Sequence, residues 1–200
     1  MYKSKVMAGI TDHLPWKPQK WTLFIDRDGV LNYLIKGDYI KTWEEFNFIP
    51  GAPEAFRKLA PLFHYIFIAT NQRGVSRGLM SMSDLDEIHE KMCEKVHIAG
   101  GRIDKVYSCI NHDEPDPEQC RKPRIGMALQ AQREFEGVDF SHSIMLGDNI
   151  SDMEFGRNAG MYTVFICQDG PPRAHADKID HHCQGVVAFA DWIVELVHEK

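Results

Sequence analysis

The sequence predicts an α/β fold, a parallel sheet covered by helices on both faces. Short runs rich in β-branched and aromatic residues alternate with stretches of helical spacing, the pattern of strands joined by crossover helices. Polar or charged clusters directly follow four of these runs, and parallel sheets gather ligands beyond the carboxyl ends of their strands. The chain shows no internal repeat and no low-complexity segment.

The first run, 21–25, reads as a strand and ends at Asp26-Arg27-Asp28-Gly29. Pro50-Gly51 then introduces the helical stretch "APEAFRKLA". The second strand, 64–69, leads into Thr70-Asn71-Gln72-Arg73-Gly74. In "SDLDEIHEKMCEKVHIAG", residues Ser83, Leu85, Ile88, Met92 and Val96 recur at helical spacing, and Ser83-x-x-Asp86 reads as its capping signal. A third strand over 105–110 precedes an irregular segment ending in Arg121-Lys122-Pro123, and a helix is expected over 124–136. The fourth strand, 143–147, is followed by Asp148-Asn149-x-x-Asp152 and a helix over 150–158. A fifth strand at 162–167 leads to a loop over 169–177, a solvated His181-His182 pair and a last helix over 186–198. Residues 1–20 read as an N-terminal extension and 21–200 as a single domain.

At 200 residues, a chain can bury roughly 70% of its unfolded surface and needs no cross-link merely to fold. The net charge of -6 argues against a nucleic-acid binder. No apolar stretch approaches the ~20 residues that span a bilayer, and the N-terminus lacks a signal-peptide layout, so a soluble cytoplasmic protein is expected. Five scattered cysteines do not resemble a disulfide framework, which leaves free thiols as the expectation.

If the strands lie parallel, Asp26, Asp28 and Asp148 converge. Three carboxylates at close range raise one another's pKa, and a hard divalent cation such as Mg²⁺ relieves that cost. Lys122 and Arg121 supply positive charge, and Thr70 a hydroxyl. The assembly suits phosphoryl transfer, with a carboxylate nucleophile and a second acid that moves a proton. Taken alone, the D-x-D-G stretch serves equally well as a turn capping a strand end.

The stretches "DRDGVLN", "ATNQRGVSRG", "CRKPRIGM" and "GDNISDMEFGRNAG" resemble the four motifs of the haloacid dehalogenase-like (HAD) phosphatases. More narrowly, they are similar to the histidinol-phosphate and heptose 1,7-bisphosphate phosphatase subfamily. The resemblance runs from about residue 21 to 166. It implies a HAD-like Rossmannoid three-layer α/β/α fold, and because neither the gap between Asn32 and Pro50 nor the stretch after Gly78 is long enough for a full cap domain, a minimal, C0-type cap is expected. It also implies Asp26 as nucleophile, Asp28 as general acid/base, Thr70 as phosphate ligand and Lys122 as the cation beside the phosphorylated aspartate. The Mg²⁺ ligands would be the Asp26 side chain, the Asp28 backbone carbonyl and Asp148, with Asp152 supporting Lys122 or the metal. Asn71, Gln72, Arg73 and Arg121 fall where relatives bind substrate. Arg27 is expected to point away from the site.

The expected substrate is a small phosphorylated metabolite, first a heptose bisphosphate or related sugar phosphate, then histidinol phosphate. A nucleic-acid 3′-phosphate and a non-catalytic binding role are the remaining alternatives. The subfamily's zinc loop is altered here: Asn111 stands where its histidine is expected, and Glu118 where a cysteine is. Cys109, His112 and Cys120 remain a candidate zinc set with a carboxylate, but structural zinc generally takes four N or S ligands, which favours a metal-free loop.

Overall fold

The computed structural model describes residues 20–111 and 119–198. Its strands are β1 (Thr22–Ile25), β2 (Tyr65–Asn71), β3 (Lys105–Cys109), β4 (Ser143–Gly147), β5 (Tyr162–Ile166) and β6 (His181–Cys183). Its helices are α1 (Ala52–Leu59), α2 (Met82–Ile98), α3 (Gly126–Glu134), α4 (Ile150–Ala159) and α5 (Val186–His198). The strands form one parallel sheet in the order β3-β2-β1-β4-β5-β6. Of the 200 residues, the 1–20 extension, Lys20 apart, lies outside the described ones.

Alternation along each strand splits the core into two layers. Leu23 and Ile25 of β1, Ile66 and Ile68 of β2, and Ile144 and Leu146 of β4 pack with Phe56 of α1, Ile88 and Met92 of α2, and Phe189 of α5. Phe24, Phe67, Tyr107 and Met145 face the other way, onto Ala128 of α3 and Phe155 of α4. Both sheet faces are therefore dry, which explains why β1 and β4 read as continuous apolar runs.

The chain builds outward from β1 to β2 and β3, then crosses back to lay β4, β5 and β6 on the other side. The order thus reverses between β1 and β4, and a crevice opens beyond their carboxyl ends. Two connections border it. The 33–50 segment carries a single 3₁₀ turn (Trp43–Glu45), and 72–81 is a series of turns. Arg77 from the second lies 5.9 Å from the Tyr39 ring of the first. Neither connection holds an inserted domain, in keeping with the expected minimal cap.

Four features differ from the expectations. The α2 cap is Ser81, whose hydroxyl accepts from the Asp84 N–H while the Asp84 carboxylate accepts from Ser81 N, so the helix starts one residue before Ser83. Residues 173–178 form 3₁₀ turns kinked at His175, overlapping the loop expected over 169–177. His181 and His182 belong to a short edge strand, with His181 stacked on Trp192 at 4.0 Å. An edge strand buries little of itself, so its apolar signal is weak. Finally, Cys109 and Cys120 are joined in a disulfide rather than left as thiols. Their Cα atoms lie 5.4 Å apart, a spacing that eleven residues of separation do not announce. Cys93, Cys167 and Cys183 are free.

Candidate active site

β1 continues its ladder one residue past its end, where Asp26 N donates to Leu146 O at 2.9 Å. Asp26 therefore follows Phe24 onto the α3/α4 side, and Arg27 follows Ile25 onto the α2 side. The turn that follows needs glycine. Gly29 has φ +84°, and a Cβ there would sit 1.9 Å from Asp148 Oδ2. The loops after β1 and β4 close together only because that position has no side chain. Gly147 does the same for Asp152, whose Cβ lies 2.3 Å from where a Gly147 Cβ would be.

Lys122 enters from the segment after β3. Its Nζ donates to Ala69 O at 2.7 Å and is ion-paired with Asp26 Oδ1 at 2.8 Å and Asp152 Oδ1 at 2.6 Å. Two carboxylates and a backbone carbonyl thus surround the ammonium, which makes a cation only 3% exposed tolerable. Burial pulls the ammonium down, but the charges of Asp152 and Asp26 outweigh it and hold the group above its ordinary value. Asp152 serves two partners: its Oδ2 accepts from Asn149 N at 3.0 Å to cap α4, while Oδ1 takes Lys122. Asn71 clamps the backbone of Lys122, accepting from its N–H at 3.0 Å and donating to its carbonyl at 3.3 Å.

Asp28 faces a different set. Arg27 does not point away. Its guanidinium folds back on Asp28, with Nη2 at 3.0 Å from both carboxylate oxygens and Nε at 3.2 Å from Oδ1. Asn32 Nδ2 donates to Oδ1 at 2.9 Å, and Gln72 Nε2 to Oδ2 at 2.8 Å. Burial pushes the Asp28 carboxyl up, but the Arg27 charge and these hydrogen bonds prevail and hold it below the usual carboxylate range. Gln72 also donates to Thr70 Oγ1 at 2.9 Å, so the Thr70 hydroxyl proton remains for a further acceptor.

Asp26, Asp148 and Asp152 bring ligand oxygens within 4.8 Å of one another. Burial is the main reason Asp26 is pushed up to about 7, Lys122 opposing it and Asp152 adding to it. Burial again, with the Asp152 charge, pushes Asp148 up to about 6. Hard oxygen donors, negative charge in excess of local cations and carboxyls held up by burial and by one another fit Mg²⁺. The expected metal pair of Asp26 and Asp148 is thus brought together. Asp152 joins the cluster, and the Asp28 side chain is engaged by Arg27, Asn32 and Gln72.

Arg73 and Arg121 lie half-buried on the segments after β2 and β3. The sulfurs of Cys109 and Cys120 are bonded to each other, and His112 lies outside the described residues. Sequence reasoning missed Asn32 and His89. For His89 a signal existed: it falls on the apolar face of α2 with Leu85, Met92 and Val96.

The architecture and site are those of a HAD-like hydrolase. A family model described as HAD-hydrolase-like matches residues 119–188. A D-glycero-α-D-manno-heptose-1,7-bisphosphate 7-phosphatase of Mycobacterium bovis is 40% identical over 139 residues, 70% of this chain and 73% of its own length. The enzyme of the same name from Campylobacter jejuni is 39% identical over 74% of this chain and 82% of its own. The crystal structure of a D,D-heptose 1,7-bisphosphate phosphatase from B. bronchiseptica, complexed with magnesium and phosphate, superposes with a TM-score of 0.75 at 28% identity, covering 90% of this chain and 99% of that one. The chain belongs to the HAD-like phosphatase family of which these proteins are members, and it is a phosphatase. Among the described residues, no helix is long and apolar enough to cross a membrane.

Proposed function

We propose that this phosphatase hydrolyses a sugar phosphate, a heptose bisphosphate before others, through an aspartyl-phosphate on Asp26. The observation that carries the chemistry is the buried Lys122, bonded to Asp26 at 2.8 Å and Asp152 at 2.6 Å beside Asp148. The choice of sugar rests on the names of the relatives.

Asp26 Oδ1 is occupied by Lys122 and by its neighbour's amide, Arg27 N at 2.8 Å. Oδ2 is left to attack phosphorus. As the new O–P bond forms, the bond to the sugar oxygen breaks, and Asp28 gives that oxygen a proton. Water then attacks the same phosphorus, Asp28 takes its proton, and inorganic phosphate leaves Asp26. Arg27 keeps Asp28 ionised before substrate arrives. An incoming phosphate dianion places like charge beside Asp28, which raises its pKa and favours the protonated acid. Thr70 offers its hydroxyl proton to a phosphate oxygen. Lys122 offsets the charge that builds at Asp26 and the transferring group. Asp26, Asp148 and the Asp28 carbonyl would hold Mg²⁺, with Asp152 behind them. The ion supplies charge neutralisation on the phosphate oxygens.

The test is a phosphate-release screen of heptose 1,7-bisphosphates, histidinol phosphate, other sugar phosphates and a 3′-phosphorylated oligonucleotide, ranked by kcat/KM. A heptose bisphosphate is expected to lead. Preference for histidinol phosphate or the oligonucleotide would overturn the substrate reading, and no release from any of them would overturn the chemistry.

A further inference from the structure

We propose that His89 is a positioning residue for Asp28, acting through the buried guanidinium of Arg27. The proposal deepens the reading above and rests on Asp28 being the proton donor.

Arg27 is fully buried. Its Nε and Nη2 are spent on Asp28, and its remaining corner, Nη1, lies 3.1 Å from His89 Nε2. Guanidinium can only donate, so Nε2 must accept, and a neutral ring carries its proton on Nδ1. Burial and the Arg27 charge push the imidazole down to about 3, so it is neutral wherever the enzyme works. His89 is 9% exposed and stands on α2, a helix fixed at its start by the Ser81–Asp84 capping box.

The geometry gives this contact a purpose. Arg27 and Asp28 are chain neighbours, and a bidentate grip between neighbours does not by itself fix where the pair lies. Asn32 and Gln72 fix the far sides of the carboxylate. The Phe46 ring sits 6.0 Å from the guanidinium carbon. Among the described residues, His89 supplies the one directional anchor for the guanidinium from a regular helix. Moving it would tilt Arg27 and shift the oxygen that must reach the leaving group.

The test separates positioning of the acid from packing. Departure of a sugar alkoxide needs a proton, whereas departure of 2,4-dinitrophenolate does not. His89→Phe keeps a ring but removes the acceptor. It is expected to lower kcat/KM for heptose 1,7-bisphosphate about tenfold or more, while 2,4-dinitrophenyl phosphate stays within about twofold. His89→Gln retains an acceptor and should recover most of the loss. Folding is checked by circular dichroism, and should His89→Phe not fold, His89→Leu carries the same expectation. Equal losses on both substrates, or loss on neither, would overturn the role of His89. Asp28→Asn is the control for the underlying reading. If it too fails to distinguish the two leaving groups, the acid assignment of Asp28 falls rather than the contact to His89.

Discussion

Lys122 Nζ stands 2.8 Å from Asp26 Oδ1, and the two groups come from opposite sides of β2 in the sheet sequence: one from the end of β1, the other from the segment after β3. The pair is buried, so each charge depends on the other. Lys122→Ala is expected to reduce kcat by about 10²–10³ or more, because it removes a cation poised where charge develops in the transition state. KM should change far less. A change in KM alone would reassign Lys122 to substrate binding. The same variant leaves Asp26 and Asp152 without their counter-charge, at a cost of about 3–5 kcal/mol in stability by thermal or chemical unfolding.

Asp26→Asn keeps the size of the side chain but replaces the nucleophilic oxygen. Turnover should vanish, and acid quenching of the wild type with ³²P-labelled substrate should trap label on protein that the variant never acquires. Near-normal activity in Asp26→Asn would end its assignment as nucleophile.

Asp26 at about 7 and Asp148 at about 6 are carboxyls that the folded protein holds up, chiefly by burying them. A raised carboxyl binds more protons folded than unfolded. Its contribution to stability is therefore complete below the ordinary carboxylate range and is lost as pH rises through 6 to 7. A divalent cation binds the ionised forms and reverses that loss. The rise in Tm on adding Mg²⁺ should therefore grow from pH 5 to pH 8. Asp148→Asn, with one charge fewer, should raise the Tm of the EDTA-treated protein at pH 8 and shrink the Mg²⁺ increment. EDTA should stop turnover and Mg²⁺ restore it. An increment that stays flat from pH 5 to pH 8 would contradict the raised carboxyls as the metal site.

The framework of the site was legible in the sequence because strand ends announce themselves. Apolar 21–25 stops at Asp26, and 143–147 stops at Asp148, and once the sheet is parallel these ends must converge. What lay beyond reach was the direction in which individual side chains turn. Arg27, expected to point away, lies on the face that alternation assigns it and then folds back on Asp28. Asn71 and Gln72 carry amides suited to a ligand, yet the Asn71 amide is engaged by the Lys122 backbone and the Gln72 Nε2 by Asp28 and Thr70, neighbours that only the sheet order brings near. The disulfide and the edge strand β6 were hidden for a related reason: each depends on partners that no local pattern encodes.

Those two amides make a prediction that divides positioning from binding. Asn71→Ala removes both hydrogen bonds that hold the Lys122 backbone, and Gln72→Ala removes the bond that ties Asp28 to Thr70. Neither loss strips a contact whose only partner is substrate. Each should therefore act on kcat, about 10-fold to 10²-fold, since a displacement of order 1 Å at a reacting group costs that much. Arg73 lies half-buried on the loop after β2 and is proposed to meet a second phosphate or the sugar. Arg73→Ala should therefore raise KM for a bisphosphate more than for a monophosphate and leave kcat nearly unchanged. Steady-state kinetics on both substrates decide the matter. If Asn71→Ala and Gln72→Ala raise KM and spare kcat, their amides bind substrate and the backbone clamp on Lys122 is incidental.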